Sequence, residues 1–190
     1  MTKSHFDAQL KTDAFENGIS VDGDYIVFDK KSNLNYQLLT SFKLKELLTA
    51  NPVSKTRLNK NLLLSLDTIR ENFGSSINIR ASYHSPEYHL ITFGAFDSPL
   101  YTTGDALALG VPPEHLETLI ASVKENFTGE IGIYKWGVHI GRTKEVKEWD
   151  KRLDTSKHQF FKDLVSNDTM KNYLLIGGAA AAVWFFFIKK

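Results

Sequence analysis

The sequence predicts an α+β domain, a small antiparallel sheet flanked by helices, followed by one C-terminal transmembrane helix. Three observations carry this. Segments with apolar residues at helical spacing alternate with short runs of strand-forming residues. Glycine and proline stand at the joints between them. The last part of the chain is an uncharged apolar run closed by lysines.

The first 15 residues (MTKSHFDAQLKTDAF) hold no continuous apolar run and do not read as a secretory signal. Residues 19–28 (ISVDGDYIVF) place Asp22-Gly23 between two β-prone runs, which predicts a hairpin. In residues 42–50 (FKLKELLTA), Leu44, Leu47 and Leu48 share one helical face, and Asn51-Pro52 ends the helix. A longer helix is expected over residues 55–73, with Leu58, Leu62, Leu66, Ile69 and Phe73 as its buried stripe and Gly74 at its C-terminal cap. Residues 77–81 and 105–111 read as strands. Pro112 and Pro113 then open a helix with Glu114 in its first turn and Leu116, Leu119, Ile120, Val123 and Phe127 on its core face, ended by Gly129. Residues 131–134 and 138–140 read as a closing hairpin. From 142 to 157 the chain is charged and mixed in sign, the pattern of a solvated linker or surface helix.

Residues 173–188 (YLLIGGAAAAVWFFFI) carry no charge. As a helix they span about 24 Å, slightly less than the hydrocarbon core, and lysine stems snorkel to cover the difference. Tyr173 and Trp184 suit the membrane interfaces; Ile188, Lys189 and Lys190 close the segment. The expectation is a tail anchor in a lipid membrane, with the folded domain on the side where it is made. The pairs Gly177/Ala181 and Gly178/Ala182 have the spacing that lets helices approach closely. A short amphipathic piece (Phe160, Phe161, Leu164, Val165) precedes the anchor, placed to lie on the membrane surface.

Composition narrows the function classes. Of 190 residues 42% are hydrophobic, including 13 Phe, so a core is available without staples, and there is no cysteine to make any. Disulfides, zinc–thiolate sites and thiol nucleophiles are therefore excluded. A net charge of +1 gives no footprint for nucleic acid. The six histidines form no HExxH and no i, i+4 pair, there is no GxSxG, and His115 reads as a surface residue. Chemistry alone names no activity.

The order of segments does more. Residues 42–74 run FKLKELL, Asn51-Pro52, then LLLSLDTIRENFG; residues 79–88 read IRASYHSPEY; residues 101–109 read YTTGDALAL; and IGIYKWGVHIGR is followed by Trp149. In this order they resemble the zinc D-alanyl-D-alanine carboxypeptidase family, whose peptidoglycan-cleaving domain shares its fold with the hedgehog signalling domain. The matching patterns are an entry of two helices broken by N-P, a strand with SGYRSPEYN, HxxGxAxD, and G-x-G-x-Y-x-x-F-V-H-x-D-x-R with a later Trp. The resemblance covers residues 42–149 and implies the same fold there, with 1–41 an N-terminal extension holding the hairpin, 150–170 a juxtamembrane linker or helix, and 171–190 the anchor.

The family's zinc is held by a His, an Asp seven residues on, and a His of the last hairpin, leaving a position for an activated water. Carried over, the first His falls on Tyr101, the Asp on Ala108 and the second His on His139. The Asp two residues beyond it becomes Gly141, the Arg of YRSP becomes His84, and the Asn of PEYN becomes His89. Only His139 keeps a ligand's chemistry. The resemblance thus implies a degenerate, non-catalytic copy without a cofactor, its old groove lined by His84, His89, Tyr101, Asp105 and His139. One arrangement left open is a displaced metal site built from His84, His89, Asp105 and His139. The expected role is structural or peptidoglycan-binding, with capsid or other virion proteins as partners in a phage that carries a membrane, or a place on a bacterial inner membrane. The alternative is an active peptidoglycan peptidase with an altered zinc site.

Overall fold

A computed structural model describes residues 1–48, 55–86, 88 and 99–152. They form an α+β unit with two sheets, one of three antiparallel strands and one mixed sheet of five. Helix α1 (Lys3–Asp13) starts on Thr2, whose hydroxyl accepts from the His5 N–H. The hairpin expected at Asp22-Gly23 is present. Strands β1 (Ser20–Asp22) and β2 (Tyr25–Asp29) turn at Gly23, where φ is +56° and glycine carries no steric cost.

Residues 1–41 belong to the same core as the rest. Phe6, Leu10, Ile26, Phe28, Leu38 and Leu39 are buried with the apolar faces of the later helices. The buried Asp67 carboxylate of the long helix accepts from the Thr40 and Ser41 N–H groups, binding this segment to the domain.

Helix α2 is one turn, Leu44–Leu47, shorter than the expected helix over 42–50. Both of its leucines are buried. The break at Asn51-Pro52 lies outside the described residues. The expected helix over 55–73 is corrected at its start. Residues Lys55–Asn59 form strand β3, which pairs along all of β2, and helix α3 occupies only Lys60–Phe73. Leu58 is buried as the stripe required, but from a strand. The change of element falls at Asn59, whose side-chain oxygen accepts from the Asn61 and Leu62 N–H groups and caps α3. Gly74 closes α3 at φ +71°, as its position predicts.

Strand β4 (Asn78–Ala81), the single turn α4 (Leu100–Thr103) and strand β5 (Ala106–Gly110) follow. The two prolines open a 3₁₀ turn, Pro113–His115, in which His115 is exposed, and helix α5 (Leu116–Asn126) follows. The helix ends ahead of Gly129. That glycine instead lets strand β6 (Glu130–Tyr134) approach strand β7 (Gly137–Gly141): a Cβ there would stand 2.5 Å from the Gly141 oxygen. These two strands are the expected closing hairpin. The charged stretch after it is not wholly linker. Lys147–Asp150 form β8, parallel to β6, and complete the sheet in the order β4-β5-β7-β6-β8.

One face of this sheet carries Ile79, Leu107, Leu109, Ile131, Ile133, Val138 and Ile140 into the core with α3 and α5. Among the described residues no helix is long and apolar enough to cross a membrane. The anchor expected over 171–190, with Tyr173, Trp184, Ile188, Lys189 and Lys190, lies outside them, as does the amphipathic piece before it.

Candidate functional site

The opposite face of the five-stranded sheet is nearly bare of side chains. Its central row runs Ala81, Ala108, His139, Gly132, Trp149 across all five strands, each residue in register with the next. The next row holds Ala106, Gly141 and Glu130, and the last Gly110, Gly137 and Tyr134. Alanine and glycine lower the floor, so larger groups settle over it. A Cβ on Gly141 would stand 2.6 Å from Leu100 Cδ1, and one on Gly132 would stand 2.5 Å from the Trp149 indole.

His139 rises from this floor and is nearly inaccessible, at 3% exposure. The Tyr101 hydroxyl, brought over the sheet by α4, lies 2.8 Å from its Nδ1. Glu130 Oε1 lies 3.1 Å from its Nε2. With the phenol donating to Nδ1 and Nε2–H donating to Glu130, a neutral imidazole is satisfied at both nitrogens. The buried Tyr101 ring meets the imidazole edge-on at 5.3 Å between centroids, and the Trp149 indole flanks it at 5.5 Å. His84, also buried, stacks on the Tyr101 ring at 5.0 Å and 18°, and its backbone N–H donates to the Tyr101 carbonyl.

The structure therefore joins three of the expected groove residues, His84, Tyr101 and His139, and sets Ala108 beside His139. Asp105 is engaged elsewhere. Its carboxylate accepts from the Tyr25 hydroxyl at 2.9 Å and the Thr103 hydroxyl at 2.8 Å, tying α4 to the three-stranded sheet. His89 lies outside the described residues. Glu130 was not singled out in the sequence, although parity along the hairpin held the signal. In a two-residue hairpin, residues 130, 132 and 134 share a face with 137, 139 and 141, so Glu130 is a diagonal neighbour of His139.

A zinc ion of the kind the resemblance implies does not fit these residues. Ala108 offers no donor atom, the Tyr101 phenol is spent on Nδ1, and Nε2 is held by Glu130. Among the described residues no three His, Asp or Glu side chains gather as a metal site. Phenol, imidazole and carboxylate in sequence can relay a proton, with the carboxylate fixing the imidazole tautomer. Here the chain is sealed, Tyr101 being only 4% exposed. Comparison with protein-family models, curated proteins and solved structures finds no match to this chain.

Proposed function

We propose that this protein is a non-catalytic relative of the zinc D-alanyl-D-alanine carboxypeptidases, held at a membrane through its apolar run at residues 173–188. Its role is binding and assembly. In a membrane-containing phage virion it stands between lipid and capsid, or against peptidoglycan. The observation that supports this reading is a convergence. The three positions at which the resemblance puts zinc ligands, Tyr101, Ala108 and His139, lie together although 38 residues separate the first from the last. The phenol closes on the imidazole, and Glu130 takes its second nitrogen. A buried polar network fully paired in this way stabilises the scaffold without an ion.

Restoring the lost ligands tests the reading. The double variant Tyr101→His with Ala108→Asp places an imidazole and a carboxylate beside His139, since Cβ atoms opposed across strands lie about 5 Å apart. The full-length chain, kept in detergent, is loaded with zinc, dialysed and analysed for metal. The native chain is expected to retain none, and the folded double variant about one zinc per chain. Stoichiometric zinc in the native chain, lost in His139→Ala, would instead favour an active peptidase with an altered site. A double variant that folds, as judged by circular dichroism, yet takes no zinc would remove the support for the peptidase likeness.

A further inference from the structure

The buried chain of Tyr101, His139 and Glu130 supplies what a phenol needs in order to give up an electron. The radical cation of a phenol is a very strong acid, so the proton must leave as the electron leaves. Tyr101 has a base in place for that proton, the His139 Nδ1 at 2.8 Å. Glu130 fixes this tautomer by accepting from Nε2–H at 3.1 Å, and its carboxylate stabilises the imidazolium that forms. Two other phenols are less well served: Tyr25 donates to the Asp105 carboxylate and Tyr36 to that of Asp13. A carboxylate takes up a proton with a pKa of about 4, an imidazole with one of about 6.5.

Burial makes the oxidised product last. Tyr101 and His139 are almost wholly enclosed, and His84 stacks on the Tyr101 ring. A phenoxyl radical held there cannot couple with a second one, and its proton stays on His139, ready to be returned.

Rings in contact connect this pair to the surface. Trp136, half-exposed in the turn between β6 and β7, stacks on Tyr134 at 5.0 Å and 14°. The Tyr134 hydroxyl accepts from Trp149 Nε1 at 3.1 Å. The Trp149 indole lies 5.5 Å from the His139 imidazole, which lies 5.3 Å from the Tyr101 ring. Rings turned to one another in this way exchange electrons readily. The charges at the two ends slope the path inward. The Arg80 guanidinium carbon, 5.6 Å from the Trp136 ring centre, disfavours a positive vacancy on the outer indole, whereas Glu130 favours positive charge on His139.

The geometry points to Tyr101 as a reversible one-electron redox site, reached from the surface through Trp136, Tyr134 and Trp149. An outer-sphere one-electron oxidant takes an electron at Trp136, and the vacancy passes inward until Tyr101 fills it. There the phenolic O–H bond breaks and an N–H bond forms at His139 Nδ1, leaving a neutral phenoxyl radical beside an imidazolium. A one-electron reductant of the ascorbate or thiol class restores the pair: the electron returns to the phenoxyl oxygen and the proton returns with it. The net transfer is one electron from reductant to oxidant, with no protein group consumed. The site thus draws oxidising equivalents off the surface of the domain, whether or not the chain is a peptidase relative.

The test oxidises the full-length chain, in detergent, with flash-generated tris(bipyridine)ruthenium(III). Transient absorption follows the radicals, and electron paramagnetic resonance of frozen samples identifies them. A neutral phenoxyl radical that outlives those of exposed tyrosines is expected, forming more slowly in deuterium oxide and removed by ascorbate with recovery of the starting protein. Folded Tyr101→Phe should lose this long-lived component. Trp149→Leu, on an edge strand, leaves Tyr101 in place and should delay the appearance of its radical. No long-lived phenoxyl in the native chain, or an equal signal in Tyr101→Phe, would overturn the site. Formation at one rate in both waters would overturn the proton step, and an unchanged rate in folded Trp149→Leu would overturn the route. Zinc uptake by the Tyr101→His/Ala108→Asp variant is unaffected by any of these outcomes, so the two readings fail separately.

Discussion

On one face of the five-stranded sheet, Leu107, Leu109, Val138, Ile140, Ile131 and Ile133 interlock with α3 and α5. On the other face the same strands present Ala106, Ala108, Gly110, Gly132, Gly137 and Gly141, with His139, Glu130 and Tyr134 standing among them. Both faces belong to the same backbone, so the difference lies in side-chain volume and polarity. The aliphatic face is a packing surface, where stability follows buried area. The bare face is a floor that admits rings, a guanidinium and a buried hydrogen-bond chain. Strands with one face given to each task keep a site from weakening the core beneath it.

The largest expected effect tests the aliphatic face. Leu107 is wholly buried, and Leu107→Ala should cost about 2–5 kcal/mol in chemical denaturation of the full-length chain. A cost below about 1 kcal/mol would mean that the face is loosely packed and that the contrast is overstated.

Next in size is the buried network. Tyr101→Phe keeps the ring and removes the hydroxyl, leaving His139 Nδ1 enclosed without that donor. The expected loss is about 1–3 kcal/mol. In Tyr101→Phe, mutating Glu130 to Ala should cost less than it does in the native chain, because the two act on one imidazole. Strict additivity in this cycle would show that they are not joined through His139.

The smallest effect concerns the floor. Gly132→Ala puts a methyl against the Trp149 indole, a side chain on an edge strand that is able to yield. A cost of about 1 kcal/mol is expected, together with a shifted Trp149 indole N–H resonance as its bond to Tyr134 is disturbed. An unmoved resonance would show that the indole does not lie across the glycine.

Elements made by neighbours in sequence were legible without coordinates. The turn at Gly23, the cap at Gly74, the stripe of α3 and the β6–β7 hairpin each follow from residues within a few positions of one another. Strand β3 was not legible, because Leu58 continues the helical spacing of α3; it is β2, some thirty residues earlier, that draws Lys55–Asn59 into a sheet. Nor was β8, whose charged residues read as linker until β6 supplies a parallel partner. Within the candidate site, Tyr101, Ala108 and His139 were picked out by motif order, while Glu130 needed the hairpin's register to be noticed.

The sequence by itself determined the α+β class, the absence of cysteine chemistry, and the absence of a side-chain donor at Ala108, since no fold can give alanine a donor atom. Only the tertiary structure decided that residues 1–41 share the core, that Tyr101 and Glu130 occupy both nitrogens of His139, and that Arg80, Trp136, Tyr134 and Trp149 meet in turn. The physical reason is range. Backbone propensity and capping act over a few residues, whereas strand pairing and the filling of space above a glycine floor depend on groups that only chain folding brings together.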